Sequence, residues 1–173
     1  MIKILPYEEV GENDAYSFLS NLSLRCFTSV ETDSAGKTFN VQWLSTEHYY
    51  QAHKFPVNSE EFLRIANTEN PIEVYSIGHN NPKQHENWDD IKENILLKGM
   101  VYKFTQNEDI RKKLIETGSE KIIEISPSGY WGNGADGKGK NRMGILLMQT
   151  REILKTMEME KARRQDKPSE SEL

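Results

Sequence analysis

The spacing of apolar residues along this chain changes several times, and each change marks an element. Ile2 to Leu5 is a short apolar run that predicts a first strand. DAYSFLSNLS (Asp14 to Ser23) mixes aromatic and small polar residues and reads as a loop holding a packed Phe18. RCFTSVETDSAGKTFNVQWLS (Arg25 to Ser45) has two β-rich runs flanking Asp33-Ser34-Ala35-Gly36, which predicts a hairpin. Ser45 or Thr46 then caps a helix that opens EHYYQAHKF, with Glu47 in its first turn.

Four more helices follow from period and caps. SEEFLRIANTE (Ser59 to Glu69) has a serine cap, early acids and apolar Phe62, Ile65 and Ala66. NPIEVYSIGHNN predicts a short helix stopping near Gly78. NWDDIKENILLKGMVYKFTQ is the clearest amphipathic pattern, with Ile91, Ile95, Leu96, Met100 and Phe104 on one stripe. NEDIRKKLIETG is capped by Asn107 and stopped at Gly118. KIIEIS (Lys121 to Ser126) is a compact strand, and NRMGILLMQTREILKTM a final helix. From about Glu158 the chain is charged or polar, and a flexible tail is expected over 158–173. The pattern predicts an α+β fold with more helix than strand, in a single compact domain over 1–157.

Composition narrows the class. A length of 173 residues suits one domain with a real core. The net charge of −5 argues against tight non-specific nucleic-acid binding, which depends on neutralising phosphates. The single cysteine, Cys26, leaves no intramolecular disulfide and fits a reducing compartment. There is neither a signal-peptide pattern at Met1 nor an apolar run long enough to span a membrane, so a soluble, cytoplasmic protein is expected.

Between the last strand and the last helix lies YWGNGADGKGKNRMG (Tyr130 to Gly144). Backbone this bare lets something come close. Gly132, Gly134 and Gly137 fit the dinucleotide pattern GxGxxG, but no second parallel strand with its ribose-binding acid follows. Gly132 to Lys138 also fits the start of a P-loop, yet the hydroxyl residue that holds magnesium is replaced by Gly139. What both motifs share survives them: amides at a helix N-terminus, with Lys138, Lys140 and Arg142 nearby, can cradle an anion or sugar phosphate. The other reading is an exposed connector with solvated charges.

A second constellation is STEHYYQAHKF. Glu47, Gln51 and Lys54 lie at helical spacings of four and three and share a face. His48 and His53 are five apart, a poor spacing for joint metal ligation. Glu47 also fits an ordinary first-turn acid favoured by the helix dipole. Trp88 and Trp131 are candidate stacking platforms beside polar loops, whereas Trp43 reads as core.

Taken together and in order, four segments resemble the YbiA/NADAR family: FLSNLS, TEHYYQAHKF, NWDDIKENILLKGMVYKF and WGNGADGKGKNRMGILLMQTR. The resemblance covers roughly Phe18 to Leu154. It implies a YbiA-like domain, mostly helical with a small antiparallel sheet, that cleaves the N-glycosidic bond between a ribose and an amine or base. Two substrate classes are associated with the family: ribosylamino-pyrimidine phosphates of riboflavin biosynthesis, and ADP-ribosylated nucleobases such as guanine in DNA. One position departs. The family has an acid shortly before the tryptophan, where EISPSGYWG is a residue shorter and places Ser128 or a neighbour. That departure supports an alternative, a non-catalytic module that binds ADP-ribose or a nucleotide.

The chemistry assigns provisional roles. Glu47 is the expected base or cation stabiliser for an oxocarbenium-like sugar, with Lys54 beside it as the second catalytic group. A first-turn carboxylate is expected to stay ionised, which argues against an acid role. Trp88 and Trp131 are expected to hold the base, with Ser20, Asn21, His48, Gln51, Gly132, Asn133, Gly134, Lys138 and Asn141 completing the substrate-binding set. No cofactor or metal is called for. The expected partner is a nucleotide-like or ADP-ribosylated small molecule, with modified DNA as a further candidate and no membrane.

Overall fold

The computed structural model describes residues 1–79 and 81–165. Strand β1 (Ile2–Ile4) pairs in parallel with β4 (Ile122–Glu124), Ile2 opposite Ile122 and Ile4 opposite Glu124. A parallel pair cannot be closed by a tight turn, so most of the chain serves as its crossover. Ile2, Ile4 and Ile122 point into the core, and Ile125 N–H extends the ladder to the Ile4 carbonyl at 2.9 Å. Strands β2 (Phe27–Thr32) and β3 (Thr38–Trp43) form the expected antiparallel hairpin. Its turn closes because Asp33 Oδ1 accepts from the Ala35 and Lys37 amides, while Gly36 adopts φ +80°.

The described residues contain seven α-helices: α1 (Tyr7–Val10), α2 (Thr46–Ala52), α3 (Glu60–Ala66), α4 (Pro71–Gly78), α5 (Trp88–Gln106), α6 (Glu108–Glu116) and α7 (Arg142–Gln165). Short 3₁₀ turns at Gly11–Asn13 and Ser17–Leu19 connect α1 to the hairpin. Ser45 and Ser59 cap α2 and α3 through their hydroxyls. Asn107 stands at the start of α6 without capping it, because its side-chain amide donates to the Cys26 and Lys103 carbonyls instead.

Helix α2 runs through the middle of the molecule, and all seven of its residues are buried. Adjacent side chains enter different cores. Tyr49 joins Phe27, Trp43, Phe55 and Phe62 beneath the hairpin, and Tyr50 joins the larger cluster built from β1, α5, α6 and α7. The stripe expected on α5 is real: Leu96, Met100 and Phe104 are fully buried, while Ile91 and Ile95 flank them. The fold is α+β and mostly helical, with the parallel β1–β4 pair in addition to the expected antiparallel hairpin.

Helix α7 continues to Gln165, past the point where the sequence suggested fraying. Residues 158–165 are exposed, but they are rich in Glu, Lys, Met, Ala and Arg, all strong helix formers, and they extend a helix already anchored by Leu147 and Leu154. The rest of the expected tail, 166–173, lies outside the described residues.

Candidate functional site

A cleft of about 430 Å³ opens where α1, the Ser20–Leu22 loop, α2, α4 and the segment after β4 converge. Glu47, Tyr50 and Gln51 reach it from α2, Ser20 and Asn21 from the loop, and Trp131 from the start of the glycine-rich segment. A second concavity of about 460 Å³ between β3 and α3 is lined by no ionisable side chain and offers no catalytic group.

Glu47 is held at two points. Its N–H donates to the Asn21 carbonyl at 3.0 Å, and Gln51 Nε2 donates to its Oε1 at 2.7 Å. It is only 7 % exposed, and burial raises its pKa; the Gln51 hydrogen bond and the Lys54 charge pull the other way, while Glu8 adds to the rise. Desolvation thus works against the helix dipole expected to favour the ionised form of this first-turn acid. Gln51 in turn packs on Gly78, where an added Cβ would lie 2.1 Å from Gln51 Oε1. The glycine that ends α4 thus admits the side chain that orients Glu47.

The other expected residues on α2, just after it and at the start of α5 do not face the cleft. Lys54 is 7 % exposed and donates Nζ–H to the Gly78 carbonyl at 3.0 Å, behind the rings of Tyr50 and Trp88. Its influence on Glu47 is electrostatic. Burial lowers its own pKa, with the Glu47 charge opposing. His48 is wholly buried, with Nδ1 2.7 Å from Ser45 Oγ and Nε2 2.8 Å from the Thr68 carbonyl, so it staples α2 to the loop after α3. His53 faces Glu31 on the hairpin at 3.0 Å, so the two histidines have different partners and share no ligand position. Trp88 packs edge-on against Tyr50 at 5.1 Å and lies outside the cleft lining; Tyr50 separates it from Trp131, which meets Tyr50 edge-on at 5.8 Å.

The Ser20–Asn21 loop owes its shape to Lys103. This lysine is fully buried, and its Nζ donates to the Phe18 and Ser20 carbonyls at 2.7 and 2.9 Å. Burial pushes its pKa down to about 7.

The glycine-rich segment closes on itself. Gly139 N–H donates to the Asn133 carbonyl, and the amides of Lys140, Asn141, Arg142 and Met143 donate to the carbonyls of Gly129, Gly132, Tyr130 and Trp131. Of the amides expected to cradle phosphate, those of Gly132, Asn133, Gly137, Lys138 and Gly139 are spent on the protein's own acceptors. A Cβ on Gly139 would lie 2.4 to 2.6 Å from backbone atoms of residues 132–134, and one on Gly144 would lie 2.2 Å from the Ile122 carbonyl. Gly134, at φ +72°, makes the turn. Lys138 is exposed and outside the cleft lining.

What the loop grips is strand β4. Asn141 Oδ1 accepts from the Glu124 N–H at 2.9 Å, and its Nδ2 donates to the Ile122 carbonyl. Asn133 N–H donates to the Glu124 carbonyl at 2.9 Å, and its Oδ1 accepts from the Ser126 N–H. Ser128, standing near the missing family acid, accepts the Trp131 N–H on its Oγ at 3.0 Å and lines the cleft. It therefore shapes the turn that presents Trp131.

Glu124 is the functional candidate that sequence reasoning missed. It lines the same cleft as Glu47; its Oε2 is buried without a hydrogen-bond partner. Burial, followed by the Glu8 charge, pushes its pKa up to about 8. The signal was the one acid inside the apolar run KIIEIS. No Lys, Arg or His among the described residues lines the cleft. Among the described residues no three His, Cys, Asp or Glu side chains are grouped to hold a metal, and no helix is long and apolar enough to cross a membrane.

The family model described as the NADAR domain matches residues 9–155. The chain is 36 % identical over 146 residues to the N-glycosidase YbiA of Shigella flexneri serotype 5b (strain 8401), covering 82 % of this chain and 84 % of that protein. It is 33 % identical over 127 residues to the chloroplastic riboflavin biosynthesis protein PYRR of Zea mays, covering 66 % of this chain and 20 % of that longer protein. The NMR structure of the E. coli protein YbiA superposes with a TM-score of 0.73 at 32 % identity, covering 92 % of this chain and 88 % of that one.

Proposed function

Because this chain belongs to the NADAR family and several of its relatives are named N-glycosidases, we propose that its cleft hydrolyses the C–N bond between a ribose and a small amine-bearing heterocycle. The chain is an N-glycosyl hydrolase by these relatives; the substrate is the part proposed. The observation that carries the reading is Glu47, whose buried carboxyl is held by Gln51 and whose backbone N–H is held by the Asn21 carbonyl, in a cleft walled by Tyr50 and Trp131.

The heterocycle lies against Trp131, and the anomeric carbon lies near Glu47. As the C–N bond breaks, positive charge develops on the sugar, and a carboxylate in a desolvated site stabilises it strongly. Burial also makes Glu47 a stronger base than an exposed glutamate, which suits it to take a proton from the attacking water. The Lys54 charge, acting from behind, favours the ionised form of Glu47 against the desolvation of the site.

The preferred substrate is a ribosylamino-pyrimidine phosphate rather than an ADP-ribosylated base. The cleft volume of about 430 Å³ suits a single ribosylated ring. With no cation in its lining, the cleft leaves the phosphate at the rim. Relatives named riboflavin biosynthesis proteins agree with this choice. Wild type and Glu47→Gln are each incubated with the ribosylamino-pyrimidine phosphate and with ADP-ribosylated guanosine, and released base is followed by mass spectrometry. Turnover of the first substrate is expected, lost by a factor of about 100 or more in the variant. Preferential turnover of the second would overturn the substrate choice. Calorimetric ADP-ribose binding without any turnover would favour the non-catalytic module that the Ser128 departure suggested.

A further inference from the structure

Resting on that reading of the cleft, we propose that Glu124 is a second catalytic carboxyl, the acid that protonates the leaving nitrogen while Glu47 receives the proton of the attacking water. The two acids share a cleft and differ in their surroundings. Glu47 has a donor in Gln51 and a nearby cation in Lys54. Glu124 has neither, and its Oε2 is buried with no partner.

The charged groups on neighbouring elements confirm the asymmetry. On α1, Glu8 adds negative charge to the cleft. On β1, Lys3 is exposed. On α7, Arg142 pairs with Glu93, and Arg151 donates to Thr117 and the Glu120 carbonyl. The remaining titratable groups in the lining are the phenols of Tyr7, Tyr50 and Tyr75. Nothing in the cleft therefore favours a charged Glu124, and a pKa of about 8 leaves it carrying a proton at neutral pH. When the environments of two carboxyls differ in this way, the less stabilised anion keeps its proton and serves as the acid.

Position agrees with this role. The Asn141 side chain and the Asn133 amide hold the Glu124 backbone at its N–H and its carbonyl, so the carboxyl projects from a fixed point. In the reaction the Glu124 O–H gives its proton to the glycosidic nitrogen, and the C–N bonding pair leaves with that nitrogen. Water then adds its oxygen to the anomeric carbon and gives a proton to the Glu47 carboxylate. The free base and the ribose product depart, and exchange with solvent returns the proton from Glu47 to Glu124.

The test has two readouts. By infrared difference spectroscopy, a protonated-carboxyl band should titrate with a midpoint near 8 in wild type and in Glu47→Gln, and be missing from Glu124→Gln. In parallel, wild-type kcat should fall as pH rises through that midpoint, and Glu124→Gln should lower kcat about 100-fold or more with little change in KM. Absence of the band from wild type overturns the proposal, as does a Glu124→Gln variant with wild-type kcat. A wild type that cleaves no ribosylated amine defeats the glycosidase reading itself, whatever the band shows. Should Glu124→Gln fail to fold, the wild-type band and pH profile decide: a kcat indifferent to pH between 7 and 9 overturns the assignment.

Discussion

The glycine-rich segment and helix α2 exchange the roles their sequences suggest. Residues 130–144 advertise a ligand, and the structure fills them with their own backbone. Helix α2 looks like an ordinary capped helix with an acid in its first turn, yet the structure buries all of it and turns that acid into a cleft. Bare backbone reports that something approaches closely; it says nothing of what does. The role of an acid depends on desolvation, which distant segments supply. Here the two regions meet, since the glycine loop fixes Glu124 in the cleft that Glu47 occupies from the other element.

The sharpest way to break that comparison is Gly139→Ala. The new Cβ would sit 2.4 to 2.6 Å from three backbone atoms, with no flexible side chain available to move. A loss near the upper end of overpacking costs, about 3 kcal/mol, is expected in urea unfolding. Gly137→Ala is the control. It has φ +75° and open space around it, so only the left-handed backbone penalty of about 1 kcal/mol applies. A loop that serves chiefly as a ligand cradle predicts the reverse: lost affinity at Gly139 with stability unchanged.

Much of the architecture was legible because it rests on local signals. Ser45 and Ser59 cap helices, Gly78 ends one, and Asp33 to Gly36 turns the hairpin, each through contacts within a few residues. Glu47 and Gln51 were also legible as a pair, because helical spacing alone brings them together. What stayed hidden depends on separation in sequence. The β1–β4 pairing joins residues 120 apart, and it is this pairing that carries Glu124 into the cleft. His48 and Trp88 looked free for substrate because their partners, the Thr68 carbonyl and the Tyr50 ring, lie outside their own segments. Lys103 stood in plain view within the motif ending KF, but no local pattern marks a lysine that will be buried on the carbonyls of Phe18 and Ser20.

Lys103→Met sharpens the comparison from the α2 side. The two carbonyls lose their donor, at a cost of about 1–3 kcal/mol. The loop that accepts Glu47 N–H through Asn21 should loosen with them, raising KM as well. The pH dependence is distinctive. An unfolded lysine keeps its proton up to about 10.5, whereas the folded one loses it near 7. Between those values the unfolded state binds more protons, so the Lys103 contribution makes stability rise with pH. Glu124 works in the opposite sense, because its folded pKa of about 8 exceeds the ordinary 4.5 and stability falls as pH rises between them. The difference between wild-type and Lys103→Met unfolding free energies therefore isolates the lysine. That difference should grow from pH 7 towards 10, and a flat difference would show that Lys103 titrates normally.

The smallest effect expected is the most direct test of what the glycine loop is for. Lys138 is exposed, and only its backbone amide is used locally, donating to Asp136 Oδ1 at 3.0 Å. Lys138→Gln keeps that amide and removes the charge. Stability should change by no more than about 0.5 kcal/mol, the ordinary range for a surface substitution. The informative quantity is KM for the phosphorylated substrate at low ionic strength, where a surface cation has its longest reach. With the phosphate at the rim and most of the loop amides spent internally, KM should shift less than about fivefold, since an exposed charge contributes about 0–1 kcal/mol. A tenfold rise that disappears at high salt would place the phosphate on this loop after all. The glycine segment would then both grip β4 from within and bind phosphate through its outer lysines.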